Sequence, residues 1–137
     1  MQALPVLCNV PTLPHQPTGI DMKSLIIIND APYGNERCYN ALRVAHALLK
    51  QESAEVVVFL LADAVTAALP GQKTPEGYYN IERMLKRVLL GNGRVLLCGS
   101  CMDARGLQGQ AVLEGYAVSN MTELADCIAV ADRTLTF

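Results

Sequence analysis

The stretch EVVVFLL, residues 55–61, decides the fold class of this chain. Its apolar side chains follow one another without alternation, so both faces of a strand formed here would be buried. Burial on both faces is typical of a parallel sheet that helices cover on each side. The runs SLIII at 24–28 and VLL at 95–97 have the same character. Together these runs predict a core of parallel β-strands.

Stretches with apolar residues at helical spacing separate or follow these strands. The predicted helices cover residues 35–51, 81–89 and 120–131. Asn35 is a candidate N-cap of the first helix, and Asn120 with Glu123 forms a capping-box pattern for the last. A brief helix and a long loop are predicted over 63–79, and a final strand over 133–137. This alternation indicates an α/β sandwich with a mostly parallel sheet.

Length and composition restrict the classes of function. A chain of 137 residues fits one domain. Hydrophobic residues at 51% and charged residues at 18% indicate more buried or interface surface than a small monomer needs, so self-association is expected. The net charge of -2, without a basic run, argues against a nucleic-acid partner. The longest apolar stretch, residues 56–62, is too short to span a membrane.

Residues 1–21 differ in character from the rest of the chain. Four of the seven prolines lie there, without strand alternation or helical period. The segment is therefore predicted to be a Pro-rich N-terminal tail outside a domain of residues 22–137. It has neither a positive start nor a sustained apolar run, so it does not resemble a secretory signal, and a cytoplasmic location is expected.

The sequence CGSC at residues 98–101 carries the strongest signal of chemistry. Cys98 lies at the C-terminal end of a predicted strand, where sites form in parallel sheets. If Cys101 begins a helix, free backbone amides there would favour a thiolate, and Arg105 is the available cation. A buried structural thiol is the alternative for Cys98, since free cysteines are often buried. The CxxC spacing favours a functional thiol.

Three kinds of site could use this cysteine pair. A zinc site needs four ligands as a rule, and the chain has no second CxxC and no His pair at ligand spacing, so zinc is disfavoured. A thioredoxin-like dithiol has the right spacing, but its motif normally follows an early strand. A sulfur carrier would hold a sulfane sulfur on one thiolate as a persulfide. Spacing alone leaves the last two open. No metal and no cofactor is predicted, because nucleotide-binding motifs are also missing.

The remaining cysteines and the two histidines are assigned no role. Cys38 and Cys127 fall in predicted amphipathic helices and are interpreted as core thiols, while Cys8 belongs to the tail. An odd number of cysteines in an intracellular chain also argues against a structural disulfide framework. His15 and His46 have no carboxylate or serine motif beside them that would indicate a catalytic base.

Polar residues after the first two strands are candidates for substrate binding. Asn29, Asp30, Tyr33 and Gly34 follow the first strand, and Asp63 follows the second. Their backbone amides and side chains could line the same sheet edge as the cysteine pair and approach an anionic sulfur species. The alternative for the first group is turn chemistry alone, and Asp63 could instead cap the following Ala-rich piece.

In combination, several stretches make the chain resemble the DsrE/DsrF-like family, and above all its YchN-like branch. The matching stretches are residues 29–34, 61–66, 71–73, 76–78, 98–106, 131–132 and 135–137. They occur in order and span nearly all of Met22 to Phe137. The tail before Met22 has no counterpart in the family pattern.

The resemblance implies a three-layer sandwich whose mostly parallel sheet has about five strands. It also implies a homotrimer or homohexamer and a cysteine that can bear a persulfide. Cys98 matches that cysteine by position, and Cys101 matches a second cysteine of the YchN-like branch. Sulfur donor and acceptor proteins would then be the partners of a carrier that is similar to a sulfurtransferase.

The leading hypothesis is that Cys98 accepts sulfane sulfur and passes it to a partner's thiol. Arg105 and loop amides would support the thiolate, and Cys101 would resolve or protect it. One alternative is a non-catalytic oligomeric module that binds a small ligand at the carboxyl edge of the sheet. The other is a CxxC protein that exchanges thiols and disulfides.

Overall fold

The computed structural model describes residues 21–137. Apart from Asp21, the predicted tail lies outside these residues, as do Cys8 and His15. The strands are β1 (Met22–Ile28), β2 (Ala54–Leu60), β3 (Arg94–Cys98), β4 (Tyr116–Ser119) and β5 (Arg133–Thr136). The helices are α1 (Arg37–Leu48), α2 (Ile81–Leu90), α3 (Gly99–Asp103) and α4 (Met121–Val130), and a 3₁₀ helix (Ala62–Ala68) follows β2.

The five strands form one sheet in the order β4-β3-β2-β1-β5, and every pair is parallel. The predicted α/β class is confirmed, and the sheet is wholly rather than mostly parallel. The chain moves in one direction from β1 to β4 and then crosses back to β5. Because such crossovers are right-handed, α1 and α2 cover one face and α4 covers the other. The result is the three-layer arrangement.

The core lies against the central strands. Ile26, Ile28 and Val58 point towards α1 and α2 and are completely buried. Ile27 and Val57 point towards α4 and keep 8% of their surface exposed. Leu25 and Phe59 lie on the same face as these two and are exposed by only 1% and 0%, so both faces of the central strands are covered.

Two details of the predicted elements differ in the structure. Helix α1 begins at Arg37 and its N-cap is Glu36, so the Asn35 N-cap prediction is wrong by one position. Asn35 Oδ1 still accepts the Arg37 amide at 2.9 Å, while its Nδ2 donates to Asp30 at 3.0 Å. At α4 the Asn120 cap is confirmed, since its Oδ1 accepts the Glu123 amide at 3.0 Å.

Gln72 fixes the long segment between β2 and α2. Its Nε2 donates to the carbonyls of Ala67 and Leu69 at 2.9 and 3.0 Å. Its Oε1 accepts the Tyr33 hydroxyl at 2.7 Å, and its backbone amide donates to Glu82 at 2.8 Å. The side chain and the backbone amide of Gln72 together connect the predicted long loop to the 3₁₀ helix, to Tyr33 and to the start of α2.

Two tyrosines should respond in opposite ways to the loss of their hydroxyls. Tyr33 donates to Gln72 and accepts the Ile81 amide at 3.1 Å, so Tyr33→Phe should cost about 1–3 kcal/mol of stability. Among the described residues, the buried Tyr116 hydroxyl has no hydrogen-bond partner, so Tyr116→Phe should leave stability unchanged or raise it by about 1 kcal/mol. Urea unfolding of both variants measures the difference. A greater loss for Tyr116→Phe than for Tyr33→Phe would contradict this assignment.

Candidate functional site

Cys98 is the last residue of β3 and the N-cap of α3. Its Sγ accepts the backbone N–H of Cys101 at 3.3 Å and lies 3.3 Å from the Ser100 hydroxyl. The helix thus begins at Gly99, so the sequence-based suggestion that Cys101 begins it is wrong. A β-carbon at Gly99 would lie 3.1 Å from Val118 and 3.3 Å from the Ser119 carbonyl, so a residue without a side chain lets the helix begin against β4.

The hydrogen bonds to Cys98 change its acidity. Burial alone raises the pKa of this thiol, because a buried charge is poorly solvated. Hydrogen bonds from the Cys101 thiol, from the Ser100 hydroxyl and from the amides of both residues outweigh burial and lower the pKa below its ordinary value. The fraction of Cys98 thiolate at neutral pH is therefore larger than that of a free cysteine.

Cys101 behaves in the opposite way. Its pKa is raised, first by burial and then by the hydrogen bond that its thiol makes to Cys98. The Ala62 amide and the positive charge of Arg105 lower it, but by less. The two thiols of the motif are therefore unequal: Cys98 favours the thiolate, and Cys101 keeps its proton as a donor to it.

Arg105 contacts the Cys101 side of this site. Its Nε and Nη2 donate to the Asp63 carboxylate at 2.9 and 2.8 Å, and its Nη1 donates to the Cys101 carbonyl at 3.0 Å. Sequence reasoning assigned this cation to the Cys98 thiolate, whereas these hydrogen bonds direct it to Asp63 and to the backbone of α3. The 3₁₀ helix after β2 and the helix after β3 are thereby joined.

Asp63 does not cap the 3₁₀ helix, so that alternative is wrong. The N-cap residue is Leu61, and Asp63 lies inside the helix with its carboxylate on Arg105. Its exposed carboxylate is held there by two hydrogen bonds from one guanidinium. The structure thus brings Asp63 to the cysteine pair, as a partner of Arg105.

The other predicted binding residues lie elsewhere. Asn29 follows β1, and its side chain donates to the Phe137 carbonyl at 3.3 Å. A cleft of about 380 Å³ opens there, lined also by Asp30, Arg37 and Thr136. It lies two strand spacings from Cys98, or about 10 Å. Asn29 therefore shares the sheet edge with the cysteine pair but belongs to a separate cleft.

Tyr33 and Gly34 have structural contacts. The Tyr33 hydroxyl lies between Gln72 and the first amide of α2. Gly34 has a φ of +107°, a left-handed conformation that glycine adopts without strain, and its α-carbon faces open space. The turn alternative fits Gly34, whereas the hydroxyl of Tyr33 makes contacts 39 and 48 residues away along the chain.

Sequence reasoning missed two groups of the site. Ala62 has a φ of +46°, which is strained for a residue with a β-carbon, and its amide acts on Cys101. No sequence signal marks this residue, because alanine does not favour that conformation. Ser100 does carry a signal, since a hydroxyl two residues after a cysteine can reach its sulfur.

Within residues 21–137 no three His, Cys, Asp or Glu side chains lie close enough together to hold a metal ion. No helix in the same range has the length and apolar character to cross a membrane.

Proteins of similar sequence are known from bacteria and archaea. The profile of the DsrE/DsrF-like family matches residues 22–137. Protein YchN of Escherichia coli K12 is 45% identical over 116 residues, which cover 84% of this chain and 98% of YchN. Protein MJ0989 of Methanocaldococcus jannaschii is 38% identical over 116 residues, which cover 85% of this chain and all of MJ0989.

Solved structures agree with the fold described above. The crystal structure of Escherichia coli YchN matches with a TM-score of 0.80 at 44% identity, covering 85% of this chain and 99% of that one. Protein MTH1491 of Methanobacterium thermoautotrophicum matches with a TM-score of 0.67 at 16% identity, covering 85% of this chain and all of that one. The second likeness concerns the fold alone.

Ser100→Ala should raise the pKa of Cys98, because one donor to the thiolate is lost. The thiolate then forms only at higher pH, so the pH midpoint of Cys98 alkylation by iodoacetamide should move upward and the rate at neutral pH should fall. Site-resolved mass spectrometry measures both. Cys127 in the same molecule is the control, since Ser100 is not among the groups that act on it. An unchanged midpoint at Cys98 would show that the hydroxyl has no effect.

Proposed function

Because the chain belongs to the DsrE/DsrF-like family, which is associated with sulfur relay, we propose that Cys98 carries sulfane sulfur as a persulfide. The observation that carries the proposal is the set of hydrogen bonds from Ser100 and Cys101 to the Cys98 sulfur. These donors favour the thiolate, which is the form that attacks sulfur. No other described cysteine has a lowered pKa.

The loading step is an exchange of sulfur between two thiols. The Cys98 thiolate attacks the outer sulfur of a donor persulfide, R–S–SH. A new S–S bond forms at Cys98, the S–S bond of the donor breaks, and the donor leaves as the thiolate RS⁻. The proton stays on the transferred sulfur, so Cys98–S–SH results without net oxidation. Delivery to an acceptor thiolate is the same step in reverse.

Cys101 would decide how long the persulfide survives. If the Cys101 thiolate attacked the inner sulfur of Cys98–S–SH, a Cys98–Cys101 disulfide would form and HS⁻ would leave. The raised pKa of Cys101 keeps it protonated near neutral pH and so slows this discharge. We therefore assign Cys101 a protecting role while the carrier is loaded, and a resolving role when it is deprotonated.

The burial of Cys98 sets a condition for delivery. Only 1% of the residue is exposed, so a donor protein cannot reach the sulfur unless the residues around it move. Helix α3 has five residues, and short helices owe their stability to tertiary contacts. In this proposal the residues around Cys98 shift when a donor or acceptor docks, far enough to expose the sulfur for the transfer.

A second candidate function rests on the same burial. A buried Cys98 also suits a non-catalytic module, and the cleft at Asn29 offers such a module a place for a small ligand. This cleft lies between β1 and β5, where the strand order reverses, which is where open α/β sheets bind ligands. The two candidates differ in whether Cys98 takes up sulfur.

Intact-mass analysis after incubation with a sulfane-sulfur donor tests the carrier. The parent protein should gain one sulfur atom, reversibly by reductant, and Cys98→Ser should gain none. Cys101→Ser should still load and should hold the sulfur longer at alkaline pH, because the discharging thiol is missing. Equal loading of Cys98→Ser and the parent would refute the carrier. A loss of two hydrogens on oxidation without sulfur gain would indicate the dithiol protein, and no change would favour the ligand-binding module.

We also propose that the chain forms a homo-oligomer, the homotrimer or homohexamer that the family resemblance implies. Met121 and Ile128 are exposed and lie seven residues apart on one flank of α4, which forms an apolar stripe. An exposed stripe of this kind on a small protein is typical of a contact between chains. The open edge at β5, where all four residues are exposed, lies in the same part of the fold.

Charges placed on this stripe should dissociate the oligomer. Met121→Lys combined with Ile128→Lys should give a smaller particle in sedimentation velocity, because the contact would bury two unpaired charges. Leu90→Lys is the control, since Leu90 is an 83% exposed apolar residue on α2, on the opposite face of the sheet. A parent protein that sediments as a monomer, or a double variant of unchanged size, would contradict the proposal.

A further inference from the structure

A cavity of about 350 Å³ opens between α1 and α2. Arg43 and His46 line it from α1, and Arg83 and Arg87 line it from α2. Its remaining walls come from Tyr39, Tyr78, Tyr79, Asn80 and Met84. It shares no residue with the cysteine site or with the cleft at Asn29, so neither proposed function uses it.

The cations of this cavity are not neutralised by the protein. The chain has 11 Lys and Arg residues, all within residues 21–137, and five of them form ion pairs there. Three of the remaining cations, Arg43, Arg83 and Arg87, meet at this cavity, and no carboxylate lines it. Arg83 and Arg87 are four residues apart on one helix, an arrangement of like charges that destabilises a helix. The net charge of the chain is -2, so this local excess of positive charge stands out, and a bound anion would neutralise it.

The arginines of α1 and α2 converge because the two helices are held together. His46 Nε2 lies 2.8 Å from the Met84 carbonyl, so the two helices touch at the cavity that the three arginines line. Arg43 is also fixed in place: its guanidinium lies 5.4 Å from the centre of the Tyr39 ring and donates to Asn40 at 3.1 Å. A guanidinium with a fixed orientation loses less entropy when it binds an anion.

Tyrosine rings form one wall of the cavity. Tyr79 stacks on Tyr39 with ring centres 4.3 Å apart and on Tyr78 with ring centres 4.4 Å apart. The two pairs are within 26° of parallel. Tyr78 ends the stack and is 55% exposed, so one of its ring faces remains open to a further planar group. Planar rings add favourably to such a stack.

The start of α2 supplies none of the positive charge. The amides of Ile81, Glu82 and Arg83 are satisfied by Tyr33, Gln72 and Asn80 respectively. Recognition of an anion therefore falls to the guanidinium groups. Their planar arrangement of donors matches the oxygens of a phosphate group, which they contact in pairs.

We propose that this cavity binds a small phosphate monoester whose organic part is a planar ring. Arg43, Arg83 and Arg87 hold the phosphate, and the ring stacks on Tyr78. The cavity has the volume of small-ligand sites, which begins at about 300 Å³. Cys98 takes no part in this binding. The proposal therefore stands whether or not the chain carries sulfur.

Phenyl phosphate is the probe for this site, measured by calorimetry on the full chain. It should bind with an affinity that falls as salt is added, because ions screen exposed charges. Arg83→Gln and Arg87→Gln should each weaken binding about tenfold or more, the effect of losing one charged hydrogen bond. Arg133→Gln is the matched control, since this exposed arginine also has no ion pair but lies on β5. Its affinity should equal that of the parent.

Three comparisons make the test decisive. Phenol should not bind, and inorganic phosphate should bind more weakly than phenyl phosphate. Equal affinities of phenyl phosphate and inorganic phosphate would show that the ring makes no contribution to binding. Tyr78→Ala should reduce the preference for phenyl phosphate over inorganic phosphate. No saturable binding of phenyl phosphate, or equal binding by the parent and both arginine variants, would overturn the site. Cys98→Ser should bind phenyl phosphate like the parent, which separates this result from any failure of the sulfur carrier.

Discussion

Burial of both faces of β1, β2 and β3 is the constraint on which the rest of the structure depends. Strands of this kind have to be parallel and joined by covering helices, because their apolar side chains need partners above and below. All their carboxyl ends then meet at one edge. Asn29, Asp63 and Cys98 reach that edge from three neighbouring strands, although 69 residues of sequence separate the first from the last.

The parts of the fold that follow apolar patterns could be predicted from the sequence. β1, β2, β3, α1 and α2 bury continuous or periodic apolar residues, and such patterns are local. β4 was not predicted as an element, because two of its four residues are exposed and its pairing depends on β3 rather than on its own sequence. The start of the short α3 also depends on tertiary structure, because the helix can begin there only where Gly99 leaves room beside β4.

The candidate site also combines features that the sequence shows with features that depend on the tertiary structure. The CxxC spacing and the position of Cys98 after a strand are visible in the sequence, and so is the presence of Arg105. The partner of Arg105 is not visible, because Asp63 lies 42 residues away and meets it only through the order of the strands. The left-handed conformation of Ala62 is likewise a result of the tertiary structure.

The four described cysteines differ both in how deeply they are buried and in the hydrogen bonds that their sulfur atoms accept. Burial, with the nearby charge of Asp30, raises the pKa of Cys38 to about 12. Cys98 lies at the end of its strand, and the hydrogen bonds to its sulfur outweigh burial and lower its pKa. The same enclosure has a further consequence. A thiolate open to solvent is oxidised by peroxide to sulfenic and then to irreversible sulfinic acid. Because only 1% of Cys98 is exposed, peroxide in solution is kept away from its sulfur, and the thiol can be charged without being open to this oxidation.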